Sequence, residues 1–151
     1  MQRKIAVITG SKSDIKYLED GLAMLKKHKI SYSLDVISAH RNPQKLTNFC
    51  KQLEKNNVEV VIACAGMAAA LPGFVASLVN IPVIGVAMEG GIAGGLDALF
   101  SIVSTPKGLG IASTGLGKSA FINAVIFSLE ILSLKDKKYL AAVKKIKESF
   151  R

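Results

Sequence analysis

With 151 residues, 20 Lys and Arg against 11 Asp and Glu, and a formal net charge of +9, the chain has the usual size of one domain, expected to span 1–151 around one core. Such a length buries roughly two-thirds of the surface exposed by the unfolded chain. Half of the residues are hydrophobic but only 6% are aromatic, too few stacking platforms for a nucleic-acid reader despite the positive charge.

Lys4 to Thr9 reads as a buried strand. Met1-Gln2-Arg3-Lys4 leads into it without the apolar core of a signal peptide, so a cytoplasmic protein is expected. Gly10-Ser11-Lys12-Ser13-Asp14 follows as a loop, and Ile15, Leu18, Leu22 and Leu25 mark a helix. The glycine permits a tight turn, the serines offer hydroxyls, and a helix start presents free N–H groups, all of which suit a phosphate or ribose. Alternatively, Ser13 or Asp14 merely caps that helix. His28, within Lys26-Lys27-His28-Lys29, reads as a solvated residue at the helix end.

Tyr32 to Ile37 alternates as a second strand, and Leu46, Phe49, Cys50 and Leu53 recur at helical spacing after it. Ser38-Ala39-His40-Arg41-Asn42-Pro43 therefore forms a strand-to-helix loop, with an imidazole beside a fixed cation. In a parallel sheet such loops line the ligand crevice, and near neutral pH an imidazole both gives and takes a proton.

From Val60 to Lys118 the only charged residues are Glu89, Asp97, Lys107 and Lys118. Gly66, Pro72 and Gly73 divide the apolar run 60–79 into strand, loop and helix, which argues against a membrane span. The expected elements are a strand at 58–63, a helix at 72–79, a strand at 82–86, a helix at 96–103 and a short strand at 109–112. A charge-free helix of small apolar residues needs cover, so a homo-oligomer is expected. Ala112-Ser113-Thr114-Gly115-Leu116-Gly117-Lys118-Ser119 resembles a relaxed phosphate loop, but no later strand follows to supply a magnesium-holding aspartate.

A long helix, about 118–134, is followed by a basic tail, 135–151, with seven Lys and Arg against Asp136 and Glu148, a net of +5. Its stripe of Tyr139, Leu140, Val143, Ile146 and Phe150 predicts a docked amphipathic helix. Cys50 and Cys64 have neither metal-ligand spacing nor a CxxC pattern, so they read as buried thiols, with no metal site.

Strands alternating with helices predict a three-layer αβα fold with a parallel, flavodoxin-like sheet of order 2-1-3-4-5 and a C-terminal helical extension. In that order the loops after strands one to three meet at the topological switch point.

Gly10-Ser11-Lys12-Ser13-Asp14, Ser38-Ala39-His40-Arg41-Asn42-Pro43, Leu71-Pro72-Gly73, Pro82-Val83-Ile84-Gly85-Val86, Gly95-Leu96-Asp97-Ala98-Leu99 and Ser101-Ile102-Val103 occur in the order and spacing of the PurE family. The resemblance covers nearly the whole chain, and Arg41 after the histidine is similar to the microbial class, N5-carboxyaminoimidazole ribonucleotide mutases. It implies a cofactor-free isomerase of purine biosynthesis that moves a carboxylate from an exocyclic nitrogen to a ring carbon. It further implies that His40 exchanges the proton at that carbon. Ser11 and Asp14, helped by Ser13 and Ser38, would hold the ribose phosphate portion of the aminoimidazole ribonucleotide, with Arg41 on the phosphate. The family assembles as an octamer with sites at subunit junctions. Two other readings stay open: a carboxylase using carbon dioxide directly, usually with lysine after the histidine, and a non-catalytic nucleotide-binding relative.

Two departures bear on specificity. Ala68-Ala69-Ala70-Leu71-Pro72-Gly73 stands where the family usually reads Ala-Ala-His-Leu-Pro-Gly, and Gly85-Val86-Ala87-Met88-Glu89 where it reads Gly-Val-Pro-Val-Gln. Glu89 either repels the substrate's carboxylate or lies outside the site; the spacing leaves both open.

Overall fold

The structure, a computed structural model, describes residues 3–151. Five parallel strands, β1 (Ile5–Thr9), β2 (Tyr32–Val36), β3 (Val60–Ala65), β4 (Val83–Ala87) and β5 (Ala112–Leu116), form a sheet of order β2-β1-β3-β4-β5, as expected. The crossovers are α1 (Ile15–Lys27), α2 (Pro43–Lys55), α3 (Ala70–Leu78) and α4 (Leu96–Val103); α5 (Gly117–Ser133) and α6 (Lys137–Glu148) complete the chain.

β1, β3 and β4 are buried on both faces, which is why their sequences are continuous apolar runs rather than alternations. Their side chains nevertheless segregate with period two. Ile5, Val7, Ile62 and Val86 pack with Leu18 and Leu25 of α1, Phe121 and Leu129 of α5, and Val143 and Ile146 of α6. Ala6, Ile8, Val61 and Ala63 pack on the other face with Leu46 of α2, Val75 of α3 and Ile102 of α4. Burying each large aliphatic side chain contributes ~2 kcal/mol, so two complete apolar layers hold the sheet and leave the strand-end loops free for binding.

The first strand of the middle segment begins at Val60 rather than residue 58, and its helix begins at Ala70 rather than residue 72. Pro72 is tolerated there because the first helical turn needs no intrahelical N–H partners. The fifth strand lies at Ala112–Leu116, not at 109–112. The stretch resembling a phosphate loop is therefore strand and helix start, paired to β4 with a register shift between Gly85 and Ala87. α6 docks through Tyr139, Ala142, Val143 and Ile146, whereas Leu140 and Phe150 of the expected stripe are 39% and 62% exposed.

No helix among the described residues is long and apolar enough to cross a membrane. Phe74 and Leu78 of α3 and Leu96, Phe100 and Val103 of α4 are all at least 40% exposed.

Candidate active site

Four loops leave the carboxyl ends of β1, β2, β3 and β4 and line one cavity of about 530 Å³. The chain reverses direction along the sheet between β1 and β3, the switch point at which open α/β sheets bind ligands. Ser11, Ser13, Asp14, Ser38, His40 and Arg41 all line it.

The first loop is a short 3₁₀ turn, Lys12–Asp14, ahead of α1. Ser11 caps this turn: its Oγ accepts from the Ser13 N–H at 3.3 Å and lies 2.7 Å from the Ser13 hydroxyl, while Asp14 stands at the N-cap position of α1 without a side-chain capping bond. Asp14 accepts from Thr9 Oγ1 at 2.8 Å through Oδ2 and from Ser13 Oγ at 3.4 Å through Oδ1. Thr9 is fully buried at the end of β1. It fixes the carboxylate at the cavity mouth, a role invisible in the sequence, where Thr in an apolar strand reads as β-propensity alone.

In the second loop the Ser38 Oγ accepts from the Arg41 N–H at 3.2 Å, and the Ser38 carbonyl accepts from the Asn42 N–H at 2.9 Å. The serine thus shapes the turn that presents His40 and Arg41. Both of those side chains are exposed at the cavity, and Arg41 forms no ion pair with the described residues. Its guanidinium offers a planar fork of donors for a phosphate.

The third loop supplies a floor of small residues. Met67 and Ala69 adopt left-handed conformations, φ 53° and 34°, and the Ala69 N–H donates to the Gly66 carbonyl at 3.0 Å. Ala70 lies on the lining where the resemblance pattern has a second histidine, so His40 is the sole imidazole there. The fourth loop adds Glu89 and Gly91 to the lining.

The other reactive groups stand apart. Burial pushes the Cys50 thiol up to about 11, and burial followed by the Asp14 charge pushes the Cys64 thiol up as well. Neither serves as a nucleophile. No cluster of ligating side chains able to hold a metal occurs among the described residues. A larger groove of about 670 Å³ between α5 and α6 is lined by Ile122, Ile126, Phe127 and Phe150 with the Lys147–Glu130 ion pair, and none of the expected site residues reaches it.

Residues 4–151 match the family model described as AIR carboxylase. The N5-carboxyaminoimidazole ribonucleotide mutase of Saccharolobus solfataricus is 43% identical over 148 residues, 98% of this chain and 92% of the relative. The mutase of Pyrococcus abyssi is 39% identical over 98% of this chain and 84% of its own length. The crystal structure of Treponema denticola PurE superposes with a TM-score of 0.85 at 28% identity, covering 96% of this chain and 89% of that one. A cavity built from the Gly10–Asp14 turn and the His40–Arg41 loop, in a chain matched almost end to end by these relatives, places the protein in the AIR carboxylase, or PurE, family.

Proposed function

We propose that the protein is an N5-carboxyaminoimidazole ribonucleotide mutase, an isomerase of purine biosynthesis that carries a carboxylate from the exocyclic nitrogen to the imidazole carbon. The observation that carries this reading is the meeting of the Gly10–Asp14 turn, His40, Arg41 and a small-residue floor on one cavity.

Ser11, Ser13, Asp14 and Ser38 hold the ribose phosphate portion, and Arg41 pairs with the phosphate. The bond between the nitrogen and its carboxylate carbon then breaks, the carbon leaving as carbon dioxide while the nitrogen keeps the electron pair and takes a proton. The ring carbon attacks the retained gas and loses its own proton as the new carbon–carbon bond forms. One proton is gained and one is lost, so a single imidazole, His40, balances both transfers without a cofactor. Proximity dominates the rate, because a neutral gas must stay beside its acceptor. Release of the gas to solvent would end the reaction.

The exposed apolar side chains of α3 and α4, with exposed Ile92 and Met67, the latter on the cavity lining, support a homo-oligomer; we assign it as an octamer whose subunits close the site. A biosynthetic step of this kind belongs in the cytoplasm. The test is product formation by purified protein supplied with the carbamate substrate in bicarbonate-free buffer. Turnover above spontaneous decay supports the mutase; a rate no greater than that decay overturns it. Product formed only from aminoimidazole ribonucleotide plus bicarbonate assigns a direct carboxylase.

A further inference from the structure

Glu89 brings an acidic residue to the lining of a cavity that, on the mutase reading, receives an anion. Its carboxylate lies against Gly117, the first residue of α5; a Cβ at that position would collide with Oε1 and stand 3.2 Å from Cδ. Gly117 has φ +81°, so the position lacks a side chain for two reasons at once. α5 runs 17 residues, and Leu116 offers its start no side-chain cap, so an acidic group beside that end is favourably placed. On the other side of the same loop, Gly91 is seated on Asp97, whose Oδ2 would lie 2.7 Å from a Cβ there. Gly117 thus leaves room for the Glu89 carboxylate beside the start of α5, and Gly91 leaves room for that of Asp97 on the same loop.

Its place in the sheet decides what it meets. The phosphate grip comes from the loops after β1 and β2, whereas Glu89 follows β4, two strands beyond β1 and so ~10 Å along the sheet. At that remove it faces the imidazole end of a nucleotide held by its phosphate. Substrate and product each carry a carboxylate at that end. The decarboxylated state between them carries an amine, which donates hydrogen bonds and has no charge to be repelled.

We infer that Glu89 is a specificity-determining residue that disfavours the two carboxylated nucleotides and favours the decarboxylated aminoimidazole ribonucleotide at the reacting end. The inference rests on the mutase reading. Like charge opposes the carbamate before the nitrogen–carbon bond breaks, and an acceptor meets the N–H groups of the amine afterwards. The carboxylate therefore acts on the difference between the states, which is what accelerates a step.

The test is calorimetric titration of wild type, Glu89→Gln and Glu89→Asp with the C-carboxylated product, with aminoimidazole ribonucleotide, and with ribose 5-phosphate as a control for the phosphate grip. Glu89→Gln is isosteric and lies at an exposed position, so the fold is retained. It should bind product about tenfold more tightly, a difference of ~1.4 kcal/mol, and aminoimidazole ribonucleotide a fewfold more weakly, with ribose 5-phosphate unchanged. Both kcat and KM should fall together, while Glu89→Asp keeps the wild-type preference. A product-to-amine preference within twofold of wild type in Glu89→Gln, or an equal shift for ribose 5-phosphate, overturns the role of Glu89 and leaves the mutase reading standing. Wild type that binds neither imidazole nucleotide overturns both.

Discussion

Thr9→Val isolates the hydroxyl that orients Asp14, because valine keeps the branched shape in a fully buried position and removes only the donor. A hydrogen bond to a charged acceptor contributes ~1.5–3 kcal/mol, and burying its partner beside a methyl group instead leaves that lone pair unmatched. Asp14 is only half-buried, so water recovers part of this on its open side. About 1–1.5 kcal/mol then remains to be lost. If the loss falls on ligand binding, product affinity drops about tenfold; if it falls on folding, Tm drops by roughly 2–5 °C for a chain of this size. Titration calorimetry and a thermal melt on one preparation read both. The hydroxyl acts through the carboxylate, so Thr9→Val combined with Asp14→Asn should bind no worse than Asp14→Asn alone. Affinity within twofold of wild type together with an unchanged Tm, or full additivity in the double variant, would refute the reasoning.

His40→Asn should cut turnover by at least about a thousandfold while product affinity stays within tenfold, because the proton carrier is lost and the phosphate contacts remain. Equal losses of rate and affinity would demote His40 to a scaffold. Gly21→Ala places a Cβ 2.6 Å from the Phe121 ring between α1 and α5, and should cost about 1–3 kcal/mol of stability with KM unaltered; an unchanged melt would show that the ring gives way freely. Burial, then Lys27 and Lys145, hold the His28 pKa below its ordinary 6.5. The folded state thus resists a proton that the unfolded chain accepts, and stability falls as pH drops below about 6.5. His28→Gln should flatten the decline of Tm between pH 7.5 and 5.5; parallel declines in the two proteins would contradict this.

Apolar runs with breaks at Gly and Pro made β1, β3 and β4 readable, because a strand covered on both faces must be hydrophobic throughout. β5 was not readable in this way. Ala-Ser-Thr-Gly-Leu is an edge strand with one neighbour, needs little apolar character, and its Gly115, with Gly117 just after it, resembles a phosphate cradle. The six expected site residues share one cavity because strand order alone brings their loops together. What stayed hidden depended on packing across the chain: the bond from Thr9 to Asp14, and the lodging of Glu89 against Gly117, 28 positions away. Phe150 looked like core by periodicity yet is 62% exposed, since it lies beyond the end of α6 at Glu148.

The two cysteines divide between the two apolar layers, Cys64 with α1, α5 and α6 and Cys50 with α2, α3 and α4. Each is at most 2% exposed, and burial disfavours the thiolate at both. A thiol reagent can therefore reach them only when a layer lifts from the sheet, and each alkylation rate becomes a clock for one side of the molecule. Because Cys64 pairs across the sheet with Thr9, whose hydroxyl holds Asp14, a ligand that holds the Asp14 turn in place should slow that clock and leave the Cys50 one running at its own pace.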